Sequence, residues 1–144
     1  MQLRLRWEKT RLLGELEADL GLIPMAAGIY VFGRKWGRRF EALYVGRGEM
    51  LRGRIKAQLN NKRLRDHVDH AGSGRKVVLI GVLEQRPGQQ ESRCLKALER
   101  GFIEHFLGQG DDLVNVHGTK LTKHTIASRN RDRQAHIPRR VGVR

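Results

Sequence analysis

The sequence predicts an α+β fold: a small three-stranded, mostly antiparallel sheet flanked by helices, with an N-terminal helix before it and a basic C-terminal tail after it. Three observations predict this. Two short apolar runs, Gly28-Ile29-Tyr30-Val31-Phe32-Gly33 and Ala42-Leu43-Tyr44-Val45-Gly46, bracket a polar stretch with Gly37 at its middle, which is the pattern of a β-hairpin. A third run, 76–83, is short and rich in β-branched residues, as a buried strand is. Around these runs, leucine, isoleucine and phenylalanine recur at helical spacing.

Taken in order, Leu3 and Leu5 alternate with arginines, which fits a short strand or an extended arm. From Glu8 to Leu20, Leu12, Leu13, Leu16 and Leu20 make one apolar stripe, the mark of an amphipathic helix that packs on the sheet. Gly21 and Pro24 end it. In the hairpin, pairing about Gly37 sets Tyr30 opposite Tyr44, since each lies seven positions away. Opposed residues share a face with Cβ atoms about 5 Å apart, so the chain's two tyrosines are expected side by side.

The second strand runs into a helix over 50–60, where Leu51, Ile55 and Leu59 recur, and 61–70 forms a second, charged helix. Gly72-Ser73-Gly74 is a loop before the third strand. Residues 89–107 form the longest helix, with a core stripe of Leu95, Leu98, Phe102 and Phe106. At roughly 100° per residue, Glu99 falls beside this stripe instead of opposite it. A half-buried carboxylate there needs a partner, and either a metal ion or an arginine serves. Glu91 and Glu104 are its competitors, but Glu91 sits where it stabilises a helix start and Glu104 points away from the stripe. Beyond Gly118 the basic residues outnumber the acids heavily, and the tail reads as an extended basic arm.

Composition bounds the function. The formal net charge of +14, from 29 Lys and Arg against 15 Asp and Glu, points to a polyanionic partner, nucleic acid above all. No apolar run approaches the roughly 20 residues of a spanning helix, and the alternating start is unlike a secretory signal, so no membrane partner is expected. The single cysteine, Cys94, excludes an internal disulfide and a cysteine-based zinc site. It fits a cytoplasmic protein.

The motifs then line up in one order. Gly28-Ile29-Tyr30 is followed by Tyr44-Val45-Gly46, a basic residue at Arg47, Arg54 one turn into the next helix, the third strand, Glu99 on the last helix and Asn115 after it. This order resembles the GIY-YIG nuclease superfamily, and the run from Tyr44 to Ile55 is similar to the corresponding segment of its excision-repair members. The resemblance covers residues 27–117 as the nuclease core, leaving 1–26 as an arm and packing helix and 118–144 as a basic extension. The interval from Glu99 to Asn115 is a few residues longer than in the excision-repair members, and the proline-aromatic lead-in to the asparagine is absent.

The resemblance implies a metal-dependent endonuclease that hydrolyses phosphodiester bonds, with DNA as its partner. It implies Mg2+ as cofactor, with Mn2+ as a substitute, and Glu99 as the metal ligand. Tyr30, Tyr44, Arg47, Arg54, Glu99 and Asn115 become the catalytic set. Tyr30 is the implied base for the attacking water and Tyr44 its helper, with the opposite assignment open. The residue chemistry agrees with these roles. A planar guanidinium holds two non-bridging phosphate oxygens at once, and one carboxylate leaves magnesium most of its water and phosphate ligands. His67 and His70 are alternative bases by ordinary pKa. Nucleic-acid contacts are expected from Arg47, Arg52, Arg54 and Lys56 at the junction, and from Lys120, Lys123, Arg129 and Arg131 in the tail. A non-catalytic nucleic-acid-binding protein on the same scaffold is the competing expectation.

Overall fold

The computed structural model describes residues 2–85, 88–114, 124–130 and 140–143, the last two segments as backbone. The elements run β1 (Gln2–Trp7), β2 (Arg11–Leu12), α1 (Leu13–Ala18), a 3-10 turn (Leu20–Leu22), β3 (Gly28–Trp36), β4 (Arg39–Gly48), α2 (Leu51–Leu59), α3 (Lys62–His70), β5 (Arg75–Leu83), α4 (Glu91–Gly108), β6 (His124–Asn130) and β7 (Arg140–Val143). The architecture is α+β, a largely antiparallel sheet flanked by helices.

The three expected strands are β3, β4 and β5, but the sheet is larger. Its order is β4-β3-β5-β1-β6-β7, with β2 also paired to β5. The N-terminal residues take the strand alternative, and that strand lies inside the sheet between β5 and β6. Leu3, Leu5 and Trp7 are at most 2% exposed, and β1 lies antiparallel to β5 and parallel to β6. The expected helix over 8–20 is also corrected. Glu8 N–H donates to the Ile80 carbonyl, and Arg11 and Leu12 pair with Val78 and Val77 of β5. Satisfying backbone groups along β5 takes the first half of that stretch away from the helix. What remains is α1, which buries Leu13 and Leu16. Within the basic tail, two segments, β6 and β7, pair as strands in the same sheet.

Two cores form on the two faces. One packs α4, through Leu98, Phe102 and Phe106, against Leu5, Trp7, Ile29, Val31 and Val45. The other packs α1, α2 and α3, through Leu16, Leu51, Ile55, Leu64 and Val68, against Tyr30, Phe32, Leu43 and Ile80. The alternation of β3 makes this division: Ile29 and Val31 face one way, Tyr30 and Phe32 the other. Gly28 lets β3 lie close to its neighbours, because a Cβ there meets the Gly81 carbonyl of β5 and the Leu51 side chain. Among the described residues, no helix is long and apolar enough to cross a membrane.

The hairpin register differs from the symmetric expectation. Trp36 pairs with Arg39 around a two-residue turn, and the register shifts again between Phe32 and Gly33. Leu43 is the extra residue of this bulge. The two shifts add, so Tyr30 lies opposite Gly46, and Tyr44 lies opposite Phe32. A displacement of two residues preserves the side-chain face, and the tyrosines stay neighbours on a diagonal.

The bulge is braced by the segment after α4. Asp111 Oδ2 accepts from Ala42 N–H at 2.9 Å, and Val114 N–H donates to the Leu43 carbonyl at 2.9 Å. His67 Nε2 holds the Asp112 carbonyl at 2.7 Å. Burial raises the Asp111 pKa above the ordinary value, and the Ala42 N–H partly offsets this. Asp111→Ala is expected to cost about 1–3 kcal/mol in urea denaturation, since it strands a buried N–H. Asp111→Asn keeps an acceptor without the charge, so its urea midpoint should lie closer to the parent protein. An unchanged midpoint for Asp111→Ala would show that the brace contributes nothing.

Candidate functional site

Strand β4 is at the end of the sheet, with α4 on one face and α2 and α3 on the other. Successive side chains of β4 therefore reach opposite sides of the same edge. Tyr44 turns toward α2, and Arg47 toward α4. Where they emerge, a cleft of about 680 Å³ opens, lined by Tyr44, Arg47 and Gly48 from β4, Arg54 from α2, Arg63 and Leu64 from α3, and Glu99 from α4, among others.

On the α4 wall, Arg47 Nη1 and Glu99 Oε1 are 2.6 Å apart. The Glu99 side chain is 20% exposed and that of Arg47 39%. The half-buried carboxylate thus has the arginine partner that its place on the helix called for. On the opposite wall, Gln58 Nε2 donates to the Tyr44 hydroxyl at 3.1 Å, and Asn61 Nδ2 donates to Gln58 Oε1 at 3.2 Å. Because the Tyr44 oxygen accepts from Gln58, its own hydrogen is available to another acceptor. Gln58 is 6% exposed.

Tyr30 is placed differently. Its ring is fully buried, 6.0 Å from that of Tyr44 and 5.9 Å from that of Phe32 by ring centroids. It is not part of the cleft wall. Burial, and then the neighbouring Tyr44, push its pKa well above the ordinary tyrosine value, against the pull of Gln58 and Arg54. Its hydroxyl makes no well-formed hydrogen bond among the described residues. Tyr30 is thus a neutral phenol at physiological pH. The glycine of the second triplet has a matching reason: a Cβ on Gly46 would fall within the Tyr30 ring.

The other sequence-predicted residues divide as follows. Arg54 is on the cleft wall, and no carboxylate pairs with it among the described residues. Arg52 turns away: its Nε donates to the Ile23 carbonyl at 2.9 Å and its Nη2 to the Gly21 carbonyl at 3.3 Å, so it ties α2 to the 3-10 turn. Lys56 is exposed on α2 but outside the cleft lining. His70 Nδ1 meets the Asp66 carbonyl of its own helix at 2.7 Å, and His67 braces the loop described above. Neither histidine lines the cleft. Asn115, Lys120, Lys123 and Arg131 lie outside the described residues, and Arg129 is placed by backbone alone in β6. The chain reading missed Gln58, Asn61 and Arg63. Gln58 carried a signal, being one helical turn beyond Arg54 and therefore on the same side of α2. Arg63 carried none, because its position depends on how α3 folds back.

Glu99 could serve a magnesium ion as a single protein ligand. It is a half-buried carboxylate on the wall of a polar, open cleft, with Glu49 also lining that cleft. Magnesium is usually held by one or two carboxylates, with water and phosphate completing its shell. Comparison of the chain with protein-family models, with curated proteins and with solved structures returned no match.

Proposed function

We propose that this protein is a metal-dependent endonuclease of the GIY-YIG type that hydrolyses phosphodiester bonds in DNA. The observation that carries the reading is convergence. Tyr44, Arg47, Arg54 and Glu99 come from three elements, and all line one cleft. The first and last are 55 residues apart in sequence, by 99 − 44. The net charge of +14 supports a polyanionic substrate.

In this reading Arg54 holds non-bridging oxygens of the scissile phosphate through paired N–H donors. Arg47 adds positive charge at the strand edge. Tyr44, which reaches the cleft, orients the attacking water and, once its own proton has left to solvent beside the cationic Arg47 and Arg54, takes up the proton of that water as a phenolate. Tyr30 stays neutral behind Tyr44 and fixes its ring by packing. Glu99 would hold the magnesium ion, which supplies a Lewis acid for the leaving oxygen.

One observation favours a second reading, a nucleic-acid-binding protein without cleavage: the Glu99 charge is already balanced by Arg47. The two separate on supercoiled plasmid. The endonuclease nicks it with magnesium or manganese and not in EDTA, and Arg54→Ala is expected to lower the rate on the order of 100-fold. Retained binding with no nicking under any divalent ion would leave the second reading. Under either, log affinity for DNA should fall linearly with log salt concentration. An affinity flat in salt would remove the basic cleft as the binding site.

A further inference from the structure

The positive charge of the cleft is unevenly divided between its walls. On the α4 side, Arg47 is neutralised by Glu99 at 2.6 Å. On the α2–α3 side, Arg54 and Arg63 line the cleft with no carboxylate paired to either among the described residues. Both side chains belong to exposed residues of neighbouring helices. Three arginines elsewhere are occupied: Arg34 by Glu41 at 2.8 Å, Arg65 by Glu17 at 3.1 Å, and Arg52 by two carbonyls. Two unpaired guanidiniums on one wall repel each other unless an anion bridges or lines them. A strand of nucleic acid supplies phosphates in series along its backbone, each able to take paired N–H donors from an arginine.

We infer that the nucleic-acid backbone runs along the α2–α3 wall, with Arg63 binding a second phosphate of the strand whose scissile phosphate meets Arg54. This rests on the proposed function for the role of Arg54, and it adds the path of the substrate and a positioning residue that the chain reading did not contain. Arg63 holds the strand in register. It touches no reacting atom.

The test measures binding of the full-length protein to a fluorescent DNA duplex in EDTA, where no cleavage occurs, across a salt series. Arg63→Ala is expected to weaken binding on the order of tenfold at low salt and to reduce the slope of log affinity against log salt by about one. Arg63→Lys should recover most of the slope. A scan of single methylphosphonates, which remove one backbone charge at a time, should find one position that weakens the parent protein but has no effect on Arg63→Ala. With magnesium, saturating single-turnover cleavage by Arg63→Ala should stay within a few-fold of the parent, with the loss falling on the concentration of DNA required. Unchanged affinity and slope in Arg63→Ala, or a methylphosphonate profile identical in both proteins, would overturn the inference. If the parent protein binds as described but nicks nothing with any divalent ion, the endonuclease reading fails and the backbone path stands.

Discussion

Replacing Glu99 by Gln is expected to lower magnesium-dependent plasmid nicking by about 100- to 1000-fold while DNA affinity in EDTA holds or tightens. The two halves of this result come from one ion pair. Glutamine keeps the shape of the side chain but cannot offer a carboxylate to a metal ion. The change also releases Arg47 from its 2.6 Å contact and removes a negative charge from the cleft wall. Phosphate then meets a stronger positive field. Stability should move little, under about 1 kcal/mol, because the pair is open to solvent on its arginine side and screened there. Plasmid nicking, duplex binding in EDTA and thermal denaturation of the same preparation check all three parts. Nicking retained within a few-fold would mean that Glu99 serves only as the ion-pair partner of Arg47. Loss of nicking together with loss of folding would make the change uninformative about chemistry, and Glu99→Asp, which keeps the charge, then serves as the companion variant.

Gly46→Ala should destabilise the sheet by about 3 kcal/mol. A Cβ at this position falls within the ring of Tyr30. Tyr30 has nowhere to move: it is fully buried and packs on Phe32 and Tyr44 at 5.9 and 6.0 Å between ring centroids. The added methyl must push β4 away from β3 or force the ring off its rotamer. Either one displaces Tyr44, so cleavage should fall along with stability. Gly53→Ala is the control. Gly53 is exposed in the first turn of α2, with nothing within 4 Å of an added Cβ, and alanine there should stabilise by up to about 1 kcal/mol. Urea and thermal denaturation of both variants give the comparison. A Gly46→Ala protein as stable as its parent would show that Tyr30 is not seated against this strand.

Much of the scaffold was legible because it depends on local pattern. The helices expected over 50–60, 61–70 and 89–107 appear as Leu51–Leu59, Lys62–His70 and Glu91–Gly108, and the strand expected over 76–83 appears as Arg75–Leu83. Each was marked by apolar spacing or by β-branched residues within its own length. The stretch 8–20 misled for an instructive reason. Its leucines do lie at helical spacing, but β5 offered backbone partners to Glu8, Arg11 and Leu12, and no periodicity within the stretch could reveal them. In the same way, Leu3 and Leu5 showed a strand's alternation without saying that the strand would be central.

By itself, the sequence determined the composition of the candidate site: which residue types are present, their order, and that Glu99 would stand half-buried and in need of a positive partner. Helical geometry and charge are properties a chain carries with it. Only the tertiary structure decided that Arg47, 52 residues away, is that partner, that Tyr44 and not Tyr30 reaches the cleft, and that Arg63 joins the wall. Those outcomes hang on the bulge at Leu43 and on the packing of α2, α3 and α4 around one strand edge. A register shift and a helix position are set by contacts between distant segments, and such contacts leave no trace in the residues on either side of a single position.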